Sequence, residues 1–332
     1  MHRHAKARRY LWRAQTYAAC ALVLAAANTA ALVSLSHFGQ ACCAAPVAGD
    51  TVRLSFPKDY IVGSLYRLQP MPAGYSAHYG KFFASARGDV TAPRDMRFNL
   101  KLSYRGGEDL SFMDKLPPGL ILFLEIERLS VTDQQFKSLK CLSWLEGLTL
   151  TDVDVTDRGF MELQKAQHLR YLVLKATLMT GKGLAAIRDL KTLEHLDTEQ
   201  NLFDDAAIAN LSNLKKLRLL RLKNARITDV GLKHIANLPA LNDLSLAINQ
   251  VTDRGVATLV GLKNLRKLNL TDTKITVKCI DSLQKMPNLE KLSISFCDFT
   301  PPQLAQFKQK LHCQLIDGRE SGADMKLFSP LH

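Results

Sequence analysis

Cysteine is scarce, with seven in 332 residues, too few for the disulfide-dense scaffold of a small secreted domain. Twelve Pro and eighteen Gly exclude a collagen-like or wholly disordered chain. Acid is in short supply: 31 Asp and Glu face 44 Lys and Arg, a formal net charge of +13, so a polyanion or an acidic partner surface has to be considered. Long apolar runs are missing everywhere except the amino terminus, which excludes a polytopic membrane protein. The length leaves room for one large domain or two small ones.

The first thirteen residues carry Arg3, Lys6, Arg8, Arg9 and Arg13 and no acid, and residues 14–49 then hold no Asp, Glu, Lys or Arg. The centre of that run, Tyr17 to Leu35, is nineteen residues long; as a helix it spans ~28 Å, one hydrocarbon core. The expectation is a cytoplasmic basic tail at residues 1–13 and a transmembrane signal anchor at residues 14–38, with everything beyond it exported. A cleaved signal peptide cut among Ala41 to Ala45, and lipid modification at Cys42, stay open as alternatives.

Beyond residue 119 the chain repeats every 24 residues without an insertion. One apolar column runs Val131, Val155, Met179, Phe203, Ile227, Val251, Ile275 and Phe299. A second runs Leu124, Leu148, Leu172, Leu196, Leu220, Leu244, Leu268 and Leu292, and a third two residues later has Thr198 as its single polar member. In Leu244-x-Leu246 the alternation puts both Leu on one strand face and Asp243, Ser245 and Ala247 on the other. Thr252-Asp253 then offers a side-chain oxygen to the free N–H groups of a following helical turn. One rung cannot enclose its own Leu set, so the core must be a continuous column shared between neighbours. Thr177, Asn201, Asn249, Thr273 and Cys297 recur at the turn after each strand and read as a structural ladder that hydrogen-bonds backbone groups; Leu129, Val153 and Ala225 interrupt it.

Leu241, Leu244, Leu246, Asn249 and Val251 follow the pattern Leu-x-x-Leu-x-Leu-x-x-(Asn/Cys/Thr)-x-Ile, and residues 108–318 resemble the leucine-rich repeat family. The turns Thr156-Asp157-Arg158-Gly159, Thr228-Asp229-Val230-Gly231 and Thr252-Asp253-Arg254-Gly255 are similar to those of bacterial membrane-anchored leucine-rich proteins with 24-residue units. More distantly they resemble the cysteine-containing repeats of F-box and ribonuclease-inhibitor-like proteins. The resemblance implies an α/β fold: a right-handed solenoid, or horseshoe, with parallel strands on its concave face and short helices on its convex face, preceded by one amino-terminal transmembrane helix. The expected layout continues with a linker holding a short β element (residues 39–88), an amino-terminal cap (89–119), repeats with a carboxy-terminal cap (120–318) and a flexible tail (319–332). Within the cap, Arg97 to Tyr104 alternates as a strand and Asp109 to Leu116 reads as a helix.

Reactive constellations are absent from the sequence. There is no His-Glu-x-x-His, Gly-rich phosphate loop or Cys-x-x-Cys. His195, Asp197 and Glu199 alternate along one strand, but positions i and i+4 sit ~13 Å apart at ~3.3 Å per residue, too far for one ion. They read instead as exposed cross-strand ion pairs with Lys175, Arg221 and Lys223. Arg87-Gly88-Asp89 matches a short adhesion tripeptide and is read as coincidence. In an oxidising compartment two of Cys279, Cys297 and Cys313 could pair; otherwise Cys297 and Cys313 read as buried small apolar residues. No catalytic residue, metal or cofactor is expected.

The expected contact residues are Tyr171, His195, Leu219, Arg221, Lys223, Asp243, Lys267 and Lys291, on the concave face. They point to a non-enzymatic scaffold that binds a protein, or an anionic surface polymer, outside the membrane that its amino-terminal helix holds. Nucleic acid is not expected, because Asp197, Glu199 and Asp243 interrupt the basic stripe. The alternative is a cytosolic F-box-like adaptor for a ubiquitin ligase.

Overall fold

The computed structural model describes residues 50–68, 80–201 and 203–318. The expected basic tail, membrane anchor and carboxy-terminal tail lie outside the described residues. Among the described residues no helix is long and apolar enough to cross a membrane.

Fourteen strands are described. Thr51–Ser55 (β1) and Asp89–Pro93 (β4) form a small antiparallel pair. The other twelve make one sheet. Its regular part is a parallel stack: Phe98–Leu102 (β5), Ile121–Glu127 (β6), Gly147–Thr151 (β7), Tyr171–Lys175 (β8), His195–Asp197 (β9), Leu219–Arg221 (β10), Asp243–Ser245 (β11), Lys267–Asn269 (β12), Lys291–Ser293 (β13) and Gln314–Ile316 (β14). Gly63–Arg67 (β2) extends it by pairing antiparallel with β5, and Lys81–Ala86 (β3) pairs antiparallel with β2. The 24-residue spacing becomes register: Leu148 pairs with Leu172, Leu172 with Leu196, and Leu196 with Leu220. All four are in the core.

The stretch read as a linker is therefore more structured than expected. β1, β2 and β3 fall within residues 39–88, and β2 and β3 continue the main sheet. The reason is edge protection. The first repeat strand would otherwise expose a row of unpaired N–H and C=O groups. β5 covers it, pairing Leu100 with Leu124, and Phe98 and Leu100 close the end of the Leu column. The expected strand is present, but Tyr104 leaves its alternation. It opens the short helix Tyr104–Glu108 and is exposed. The expected helix at 109–116 is a single 3-10 turn, Ser111–Lys115. Gly88 has φ +59° and turns the chain into β4, while Asp89 is held by Arg53 and by the Ser55 hydroxyl at 2.8 Å. At the other end, helix Pro301–Lys310 and strand β14 close the stack.

Thr198, the polar member of the third column, is fully buried and satisfied: its hydroxyl donates to the Arg221 carbonyl at 3.2 Å, one rung on. Asn249 works harder. Its carbonyl oxygen accepts from the N–H groups of Ala225 (3.1 Å) and Ile227 (2.9 Å), and its amide donates to the carbonyls of Leu222 (2.7 Å) and Leu246 (3.0 Å). Asn201 serves Thr177 and Leu174 in the same way, and the Cys297 thiol donates to the Leu270 carbonyl at 3.2 Å. Cys141, Cys279, Cys297 and Cys313 are free thiols, and Cys297 and Cys313 are only partly buried, contrary to their core reading. Cys313 immediately precedes β14, the last strand of the sheet, so among the described residues it has a neighbouring rung on one side only.

The Thr-Asp-x-Gly turn acts across rungs as well as within one. Thr252 caps its own helix, accepting from the Arg254 N–H at 3.3 Å. Asp253, however, reaches to the next rung and accepts from the N–H and hydroxyl of Thr276, at 2.7 and 2.6 Å. The same bridge joins Asp133 to Thr156, Asp157 to Thr180, and Asp205 to Thr228. Where the next rung carries Gly, the carboxylate occupies the space its Cβ would take: 2.5 Å from Asp133 Oδ1 at Gly159, 2.6 Å from Asp157 Oδ1 at Gly183; after Asp253 that slot holds Cys279. Where Gly181 replaces the Asp, the following rung carries Ala207 in the Gly slot.

Candidate functional site

One face of the sheet packs on the helical side; the other has no covering element among the described residues. Because side chains alternate along a strand, the open face is built of rows crossing neighbouring strands. Tyr171, His195, Leu219, Asp243, Lys267 and Lys291 fall in a single row, each register-paired with the next. Arg221 lies in the adjoining row beside Ser245, and Lys223 just past the end of β10. The expected contact residues are thus neighbours on one surface.

The row begins with rings. Phe123 and Tyr171 have centroids 5.7 Å apart although β7 lies between their strands. Gly147 makes this possible, since a Cβ there would run into the Phe123 ring. Tyr171 meets His195 edge-on at 4.6 Å, and the Arg170 guanidinium sits 5.5 Å from the Tyr171 ring centre. Burial pushes the His195 pKa down to about 4; Glu194 opposes the shift, while Arg218, Arg170 and Arg221 add to it. His195 is therefore a neutral ring at physiological pH.

The adjoining rows hold a charge network more deeply set than the exposed pairs expected from the sequence. Lys175 Nζ is 2.9 Å from Asp197 and 3.9 Å from Glu199, and Arg221 approaches Asp197 at 3.8 Å. The side-chain exposures of Lys175 and Asp197 are only 20% and 8%. Lys175 from the strand before and Arg221 from the strand after both reach over Asp197, which the sequence pattern alone does not show. Burial raises the Glu199 pKa, with Asp197 adding to it and Lys175 opposing. Among the described residues no group of three or more His, Cys, Asp or Glu side chains could hold a metal ion.

Next to the ring row, His195, Arg218, Leu219, Asn242, Asp243, Arg266 and Lys267 line a groove of about 380 Å³. Arg218, Asn242 and Arg266 were missed by the sequence reading, which followed only the alternating strand positions. They belong to a 24-residue column just before each strand: Glu146, Arg170, Glu194, Arg218, Asn242, Arg266, Glu290. Its alternating charge was the available signal. Arg170 pairs with Glu194 at 2.9 Å and with Glu146 at 3.8 Å, and Arg266 with Glu290 at 2.7 Å. Asp243 has its pKa raised by burial, against the pull of Arg221 and Lys267.

No curated protein matches the sequence. Among solved structures, an internalin (inlF) from Listeria monocytogenes str. 4b F2365 is 24% identical with a TM-score of 0.44, over 58% of this chain and 58% of that one. The chain thus spans less than two thirds of that internalin. Internalin C2 (inlC2) from the same organism is 23% identical with a TM-score of 0.49, over 59% and 80%. A chain of an octameric complex of Latrophilin 3, Unc5D and FLRT2 (LRR) is 16% identical with a TM-score of 0.42, over 60% and 72%. The family model for the leucine-rich repeat region matches residues 125–319, more than half of the chain. This chain belongs to the leucine-rich repeat family.

Proposed function

We propose that the chain is a non-enzymatic scaffold that captures a protein partner on the open, concave face of its repeat sheet. Leucine-rich repeat proteins are generally protein-interaction scaffolds, and the observation that carries the assignment here is the row itself. Tyr171, His195, Leu219, Asp243, Lys267 and Lys291 change from aromatic to aliphatic to charged across six neighbouring strands, without a covering element on the described chain. Six strands at ~4.8 Å spacing give a track about 24 Å long, and the rows on either side widen it toward a standard interface. Aromatic anchors beside charged groups are the composition of protein-binding hot spots.

The repeats are displayed outside the membrane, held by residues 14–38 with the basic tail in the cytoplasm. The support is the Arg-rich start followed by 36 residues, 14 to 49, without a charged Asp, Glu, Lys or Arg. Protease added to intact cells or spheroplasts tests the topology: the repeats are digested under this reading and survive in a cytosolic adaptor. Arg221→Glu with Lys267→Glu tests the face. Partner capture falls with both replaced, and unchanged capture refutes the face.

A further inference from the structure

The column just before the strands alternates acid and base from Glu146 to Arg218 and resumes with Arg266 and Glu290. At the one place where an acid would continue the alternation, between Arg218 and Arg266, stands Asn242. Among the described residues Arg218 and Lys267 form no ion pair and feel Glu194 and Asp243 only at longer range, whereas Arg266 has Glu290 at 2.7 Å. Parallel neighbours stack ~4.8 Å apart, so a carboxylate placed over Asn242 would sit within reach of both flanking guanidinium groups. Such pairs are the strong, directional kind of hydrogen bond.

We propose that the groove over Asn242 receives an acidic side chain from an extended segment of a protein partner, clamped by Arg218, Arg266 and Lys267. This deepens the scaffold reading and rests on it. Three features favour a peptide over a dense polyanion. Leu219 offers an apolar seat in the same groove, the Asn242 amide can both donate to and accept from a peptide backbone, and Asp243 within the groove repels a uniform run of negative charge. The specificity is therefore for spaced acids with apolar neighbours.

The test uses the purified full chain and a fluorescein-labelled peptide of alternating Glu and Leu, with its Gln–Leu counterpart as control, read by anisotropy. Wild type binds the acidic peptide, and binding weakens as salt rises. Asn242→Glu supplies the missing acid from within and weakens the affinity by about tenfold or more. Because Asn242→Glu adds ion pairs, its thermal midpoint stays at or above wild type. If it does not fold, Arg218→Gln replaces it with the same expected loss. No binding by wild type, equal binding by wild type and Asn242→Glu, or tighter binding of polyphosphate than of the peptide each overturns the inference. The scaffold reading fails separately, when the joint Arg221 and Lys267 replacement leaves partner capture untouched.

Discussion

Asp229 accepts two hydrogen bonds from Thr252 on the next rung, 2.8 Å from its N–H and 2.6 Å from its hydroxyl. With the matching bridges from Asp133, Asp157, Asp205 and Asp253, it forms a second seam on the helical side, opposite the strand ladder. A hydrogen bond to an ionised carboxylate contributes ~1.5–3 kcal/mol, so this seam couples rungs in addition to the shared Leu core. It also accounts for Gly159, Gly183, Gly231 and Gly255, each of which leaves room for the previous rung's carboxylate, whereas Cys279 holds that slot after Asp253.

Gly231→Ala is expected to destabilise by ~1–3 kcal/mol through overpacking, because the new Cβ would meet Asp205 Oδ1 at 2.5 Å. Asp205→Gly alone loses the bridge to Thr228. The two together reproduce the natural pair Gly181 and Ala207, and their combined cost is expected to fall at least ~1 kcal/mol below the sum. Denaturant unfolding of the four proteins checks the cycle, and strict additivity would show that the carboxylate does not use this space.

Asn249 is buried and bonded to main-chain groups of two rungs. Asn249→Leu strands those groups, each costing ~1–3 kcal/mol, so a total loss of several kcal/mol is expected in equilibrium unfolding. A change under about 1 kcal/mol would mean that the ladder is dispensable.

One position after the open-face rows, the backbone enters the left-handed region in every repeat, at Arg128, Asp152, Ala176, Gln200, Asn224, Ile248, Asp272 and Phe296. Ile248 is the β-branched member, with φ 57°, and such a residue pays ~1–2 kcal/mol there. Ile248→Asn is expected to raise stability by ~0.5–1 kcal/mol, read as a higher denaturant midpoint. A lower midpoint would show that Ile248 packing outweighs its backbone strain.

His195 is held neutral by burial, with its pKa at about 4 against an ordinary 6.5. The unfolded imidazole takes its proton near pH 6.5 and the folded one only near 4, so the unfolded chain binds more protons between those values. Stability from this group is complete above pH 6.5 and falls as the pH drops toward 4. Buried Glu199 and Asp243, whose pKa values are raised, act in the opposite sense. The difference between wild type and His195→Gln isolates the imidazole: the variant is expected to show a shallower loss of thermal midpoint from pH 6.5 to 4.5. Parallel profiles would contradict the burial argument.

The Leu columns made the fold legible, because a period of 24 residues converts directly into strand register. The row from Tyr171 to Lys291 was legible for the same reason. Less visible were features that depend on how adjacent rungs interlock. Asp253 reads as a helix-capping residue in one repeat, and only stacking shows that it serves Thr276. Arg218, Asn242 and Arg266 precede the strands, where alternation gives no guide to which way a side chain faces. β2 and β3 carry no Leu period, since they protect an edge and do not propagate the stack.

The claim on which the rest depends is that partners are captured on the open sheet face. A photo-crosslinking residue introduced at Leu219 or Tyr171, compared with the same residue at exposed Lys233 or Arg254 on the helical side, tests it in living cells. A discrete protein adduct at the two sheet positions and none at the helical ones is the predicted result; adducts confined to Lys233 and Arg254 would contradict it.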